Sequence, residues 1–344
     1  MKVICIYANR GEEYKATAEL ICKELIKAGH QAVVEELFDY LDIKWLDTFL
    51  SFTIKLFSKL RFNNQIKSSS RELDTLLKFA KKHGYRAFQS NLEEAPTDLF
   101  ICIHPYTSQL ITALRDKTNI TDISVYYYET RFFSLSKRSV NNDLDKFFIS
   151  TNKGKEEALA LGQKKETISF APIISADIYT LNVNKVERKD NRIKILYDTK
   201  DDRINLSKLI KKDINADFLL INCSQEKFKK INAEASKCKN LKLYSSNNSN
   251  KFDLFSSADI IIGPPDRKSM LIALYYNKAY FLTDKKKKTA DITDYLLANK
   301  LGLVLSNNSD KQAEEIKSYL KEYDPSRANN LNFNLEEFVR ELSN

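Results

Sequence analysis

Short β-rich runs alternate with helix-patterned stretches along the whole chain, and that alternation leaves few folds open. KVICIYA, QAVVEELF, DLFICIHP, ISVYYYE, KFFIST and TISFAP succeed one another in the first half. RIKILYD, DFLLINC, LKLYS, ADIIIG, AYFLTD and GLVLS continue in the second. Strands separated by helices of about ten or more residues need right-handed crossovers, which set them side by side in parallel sheets. An α/β protein follows, and 344 residues suggest two domains more readily than one. The polar stretch ADIYTLNVNKVERKDN, 176–191, carries no helical stripe and reads as a linker. The expected division is then 1–175 and 192–344, two Rossmann-like domains with parallel sheets facing a central cleft. Ligands of open parallel sheets bind beyond the carboxyl ends of the strands, so strand-end residues are the ones to inspect.

Five cysteines, odd in number, widely scattered and never in a CxxC pair, indicate neither a disulfide framework nor a zinc site. A reducing cytosol is the expected compartment, and no metal or cofactor is expected. No apolar run reaches the roughly 18 residues a spanning helix needs. The net charge of +9 calls for an anionic partner. Much of it is concentrated in residues 43–86, which hold ten Lys and Arg against three Asp and Glu.

Within that segment, DIKWLDTFLSFTIKLFSKLRF, 42–62, has helical spacing and a wide apolar face. Trp45, Phe49, Phe52 and Leu56 form its centre, and Lys44, Lys55 and Lys59 fall on the other side. Aromatic burial and attraction of lysines to anionic headgroups suit such a helix to a bilayer interface, at roughly 1 kcal/mol per lysine near the surface. The alternative is an amphipathic helix packed on a sheet, its lysines solvated. Nucleic acid is not the expected partner, because the aromatics follow no strand-stacking or groove-reading motif.

The order of features resembles the N-terminal domain of diacylglycerol glycosyltransferases, the monogalactosyldiacylglycerol synthases and the bacterial processive diacylglycerol glucosyltransferases. Strand, loop, YKATAELICKELIKAGH, a second strand ending EELFDYL, the basic aromatic segment and PTDLFICIHP carry the likeness. It continues through ISVYYYETRFF, LDKFFISTNKGKEEALALG and ISFAPI. The resemblance implies a two-domain GT-B arrangement, with the final helix NLEEFVRELSN crossing back to the first domain. In the family the opening loop is a glycine run ending in histidine; here Gly11 survives, Glu12 and Glu13 replace glycines, and Tyr14 takes the histidine's place. The two glutamates serve either sugar hydroxyls or simply the first turn of a helix. His104 keeps a strand-end histidine, either a group that orients a hydroxyl or exchanges a proton, or a structural one. Glu129, in YYYET, stands near the place of an acidic base, and Glu129, Tyr14 and His104 are the candidates for the base that a transferase of this kind needs.

The second half departs from the family. Its first strand leads into YDTKDDRINL, with no glycine to admit a diphosphate. In ADIIIGPPDRKSMLIALYYNKAYFL, Ile272 takes the position of the acidic residue that holds a ribose, and Ser269 remains as a hydroxyl. An isoleucine cannot accept a hydrogen bond. In place of the sugar-binding Gln-Glu pair stand Lys285, Lys286, Lys287 and Lys288, either a charge that neutralises a diphosphate or a solvated loop. Three readings follow: a membrane-associated transferase moving sugar from a nucleotide donor to a lipid, with an altered donor site; an inactive relative retained for binding or regulation; and a basic nucleic-acid binder. The expected location for the first is the cytoplasmic face of a membrane, held peripherally by anionic lipids.

Overall fold

A computed structural model describes residues 1–45, 74, 77–131, 135–179, 193–200, 206, 209, 216–234, 241–243, 253–284, 289–306, 308–322 and 331–342. The chain divides into two compact units, one of residues Met1–Ala176 and Leu331–Asn344, the other of Asp177–Asn330. The expected second domain, 192–344, therefore gives up its last stretch to the first unit.

In the first unit β1 (Lys2–Tyr7), β2 (Gln31–Glu36), β3 (Leu99–Cys102), β4 (Ser124–Tyr128), β5 (Lys146–Ile149) and β6 (Ile168–Phe170) form one sheet. Its order is β2-β1-β3-β4-β5-β6, with every neighbouring pair parallel. The strands buried throughout are the ones whose sequence runs apolar without alternation, as in LFIC of β3, because both faces are covered. Between strands lie α1 (Glu12–Lys27), α2 (Leu37–Tyr40), α3 (Tyr85–Glu94), α4 (Pro105–Thr118) and α5 (Asn152–Ala160). A π turn, Ala80–Gly84, leads into α3. α1 buries Tyr14, Ala18, Ile21, Cys22 and Leu25, the three-and-four spacing that places one face on the sheet.

A short helix, α6 (Ala176–Tyr179), stands where the second unit begins. That unit contains β7 (Ile193–Asp198), β8 (Ala216–Ile221), β9 (Leu241–Leu243), β10 (Ile260–Gly263), β11 (Ala279–Leu282) and β12 (Gly302–Val304). They are parallel in the order β12-β11-β10-β7-β8-β9. The first strand thus lies at the centre and the chain winds outward on both sides, the strand order of dinucleotide-binding sheets. Its helices are α7 (Gln225–Glu234), α8 (Asp253–Ser257), α9 (Arg267–Tyr275), α10 (Ala290–Ala298) and α11 (Ser309–Glu322).

The last helix, α12 (Leu335–Leu342), belongs to the first unit and packs on α1. Leu335, Phe338, Val339 and Leu342 recur at helical spacing and are all buried. The Phe338 ring lies 5.0 Å from Phe148, edge to face, and 6.2 Å from Tyr128. Just before the helix, the Ile173 N–H donates to the Asn332 carbonyl at 2.7 Å. Among the described residues, no helix is long and apolar enough to cross a membrane.

Candidate functional site

In the first sheet β2 extends to one side of β1 and β3 to β6 to the other, so the chain reverses its winding between β1 and β3. That reversal opens a crevice beyond their carboxyl ends, where open α/β sheets take ligands. Three of the expected site residues, Tyr14, His104 and Glu129, arrive there from the elements following β1, β3 and β4.

Gly11 precedes α1 in extended backbone, at φ 161°. The Glu13 side chain folds back over it: a Cβ on Gly11 would lie 2.7 Å from Glu13 Oε2. The carboxylate therefore occupies the room that glycine leaves, while Glu12 points to solvent on the same first turn. Tyr14 is buried, its ring edge-on to His104 at 4.7 Å.

His104 caps α4. Its Nδ1 accepts from the Tyr106 N–H at 3.1 Å, its backbone N–H donates to Thr107 Oγ1 at 3.2 Å, and that hydroxyl donates back to the His104 carbonyl at 2.6 Å. With Nδ1 as acceptor, the neutral ring carries its proton on Nε2. Burial first, and then the charges of Arg10, Arg131 and Arg138, hold its pKa down to about 3. Near neutral pH this histidine is a hydrogen-bond donor and not a proton carrier.

Glu129 follows β4 and is only 1% exposed. Its Oε2 accepts from the Tyr127 hydroxyl at 3.0 Å and its Oε1 from the Arg131 N–H at 2.9 Å. Burial raises its pKa, opposed by the Ser139 hydroxyl, the Arg131 N–H and charge, and Tyr127. The carboxyl expected as a base is thus enclosed, with a hydrogen bond on each oxygen. Burial also pushes the Tyr14 phenol up, and the charge of Arg131 opposes the shift.

These contacts line up. Tyr14 meets His104, His104 meets Tyr106 at 4.8 Å, and Tyr106 Oη accepts from Arg138 Nη1 at 2.9 Å. Arg10, on the loop after β1, lies over the Phe38 ring at 5.8 Å. Sequence reasoning missed Tyr106 and the three arginines. The available signal was positional: NRGEE follows β1 and TRFF follows β4, each with an arginine within a few residues of a strand end.

In the second unit the equivalent places are acidic. Asp198 ends β7, is 7% exposed, and accepts from Asn222 Nδ2 at 2.8 Å and the Lys200 N–H at 3.1 Å. Asp266 caps α9, its Oδ2 accepting from both the N–H and the hydroxyl of Ser269, at 3.0 and 2.8 Å. The Ser269 hydroxyl, expected to meet a donor, thus takes part in the cap of α9. Ile272 is fully buried, so its position faces the core of the unit and not a ligand. Lys285, Lys286, Lys287 and Lys288 lie outside the described residues.

Of the expected membrane helix, Phe49, Phe52, Lys55, Leu56 and Lys59 lie outside the described residues. Trp45 is described and is 52% exposed. It stands edge-on to Phe79 at 5.9 Å and to His83 at 6.0 Å, and those two rings stack. Lys44 pairs with Asp39 at 3.2 Å beside them.

Residues 7–173 match the sequence profile of the monogalactosyldiacylglycerol (MGDG) synthase family. No curated relative matches the sequence. Among solved structures, the chain is similar over its full length to the UDP-GlcNAc 2-epimerase of Neisseria meningitidis bound to UDP-GlcNAc. The TM-score is 0.59 at 16% identity, with 100% of each chain covered. It is similar to Acinetobacter baumannii MurG, with TM-score 0.59, 11% identity and 99% of each chain covered. The glycosyltransferase SnogD of Streptomyces nogalater follows at TM-score 0.53 and 10% identity, with 99% of this chain and 98% of that one covered. Identities this low speak for the fold alone. The chain has a GT-B-like fold of two Rossmann-like domains, and over residues 7–173 it resembles the MGDG synthase family.

Proposed function

We propose that the protein is a membrane-associated glycosyltransferase that moves a sugar from a nucleotide-sugar donor to a lipid acceptor, with an altered donor site. One observation carries the reading. The segment that matches the family brings the Tyr14 and His104 rings together beyond the first sheet's strand ends, the place where open α/β sheets take ligands. There the Nε2–H of His104 is a donor for an acceptor oxygen, and Glu129 holds the backbone N–H of Arg131 nearby. Such preset dipoles and charges stabilise a transition state without reorganisation. The family resemblance supplies diacylglycerol as the first acceptor to try. The exposed Trp45 and Phe79, with the lysines around them, face anionic lipid at the cytoplasmic side of the membrane.

A second reading, an inactive GT-B relative kept for binding or regulation, is favoured by Asp198 and Asp266. Carboxylates at a strand end and a helix N-terminus repel the diphosphate that such positions otherwise attract. Isothermal titration with UDP-, GDP- and CDP-sugars at millimolar concentration separates the two. Saturable binding of one of them is expected, and silence across the panel would leave the inactive relative standing.

A further inference from the structure

In the second sheet the strand order also turns back on itself, between β7 and β10, the kind of place where open α/β sheets take ligands. Tyr197 pairs with Ile262, so the last residues of those two strands, Asp198 and Gly263, stand side by side at the reversal. A Cβ on Gly263 would lie 3.3 Å from the Asp198 Cβ. Asp198 is 7% exposed, and both of its hydrogen bonds, from Asn222 Nδ2 and the Lys200 N–H, fall on Oδ1. Its Oδ2 accepts from none of the described residues. The hydroxyls around it are turned elsewhere, Tyr280 Oη to the Pro264 carbonyl at 2.8 Å and Thr199 Oγ1 to the Asn222 carbonyl at 2.7 Å. A carboxylate oxygen so nearly buried and left without a donor costs free energy that a donor on a ligand recovers.

We propose that this reversal point binds a neutral vicinal diol, on the ribose or the hexose of a nucleotide-sugar, through Asp198 Oδ2, with the diphosphate held away from it. The charges on either side select the ligand. The carboxylate itself repels a phosphate, and Lys227, whose Nζ donates to the Thr199 carbonyl at 2.8 Å next to Asp198, opposes a cation. A hydroxyl is a donor that meets neither objection. One carboxylate oxygen has two lone pairs, so two neighbouring hydroxyls can share it. The inference rests on the transferase reading and deepens it, giving the donor a hydroxyl contact that Ile272 does not supply.

The test titrates the full chain, by ligand-observed NMR at millimolar concentration, with uridine, guanosine, cytidine, methyl β-glucoside and the UDP-, GDP- and CDP-glucoses. At least one neutral probe should bind, a nucleoside if the diol is that of the ribose and the glucoside if it is that of the hexose. For a nucleoside that binds, the 2′,3′-dideoxy form should be about tenfold weaker, the scale of a hydrogen bond to a charged group, and this comparison needs no variant to fold. Asp198→Asn, checked for native circular dichroism, should weaken the bound probe about tenfold and the nucleotide-sugar that contains it by as much. Silence from every neutral probe, a dideoxynucleoside that binds as well as its parent, or a nucleotide-sugar that tightens in Asp198→Asn overturns the proposal. Tightening would mean that the diphosphate, and not a diol, lies against this carboxylate. A neutral probe that depends on Asp198 while every nucleotide-sugar is refused removes the transferase reading and leaves the diol site standing. Nucleotide-sugars that bind equally well to wild type and Asp198→Asn do the reverse.

Discussion

His104 shows how one side chain reports on its surroundings. Its pKa is about 3 in the folded protein against an ordinary 6.5, so between those values the unfolded chain binds a proton that the folded one does not. The stability it contributes is complete above pH 6.5 and is lost as pH falls toward 3, at up to about 1.4 kcal/mol per pH unit. His104→Asn keeps a cap acceptor for the Tyr106 N–H and removes the titration. Urea unfolding from pH 7 to pH 4 should show the variant declining less steeply than the wild type, and parallel curves would contradict the assignment. Glu129 has the opposite sign. Its raised pKa means that the folded state holds the proton more tightly, so stability falls as pH rises from the ordinary glutamate range through the folded value. Glu129→Gln should lack that component, which the same pH series reads directly.

At the scale of elements, α12 ties a distant part of the sequence to the first sheet. Phe338→Ala removes a ring packed on Phe148 and Tyr128, and should cost about 3–5 kcal/mol in chemical denaturation of the full chain. In the second unit Gly263 lies against Tyr280. A Cβ there would stand 2.8 Å from the Tyr280 hydroxyl, which donates to Pro264. Gly263→Ala should therefore lose about 1–3 kcal/mol. Adding Tyr280→Phe should restore part of it, and an unrelieved double variant would mean that the strain lies elsewhere. The strands were legible because a two-faced sheet writes itself as unbroken apolar runs. Tyr14, His104 and Glu129 were legible because residues flanking such runs must lie at the sheet's edge. Arg131, Arg138 and Asp198 were not, since a charge after a strand looks the same whether it turns to solvent or folds over its neighbours. Ile272 illustrates the reverse: matched by position to a ligand-holding acid, it faces the core because α9 buries residues 270 to 274.

For the molecule as a whole, a charge of +9 and an exposed Trp45–Phe79–His83 cluster lead to one expectation. The protein should float with anionic liposomes, less so as salt screens the lysines. Trp45→Ser together with Phe79→Ser should reduce flotation, as should replacing Phe49, Phe52 and Lys55. Flotation unchanged by both sets would assign these aromatics to packing. The sequence gives no comparable guide to the donor, because the family's glycines and acid are replaced and Asp198 and Asp266 stand at the corresponding strand and helix ends.

The place of α12 also bears on how the protein comes into being. A ribosome delivers residues 177–330 before the helix that closes the first sheet, so the amino-terminal lobe, though begun first, is finished last. A nascent chain stalled near residue 330 would hold an unsealed apolar face beside Phe148. Chaperones should engage such a chain at its oldest part and not its newest.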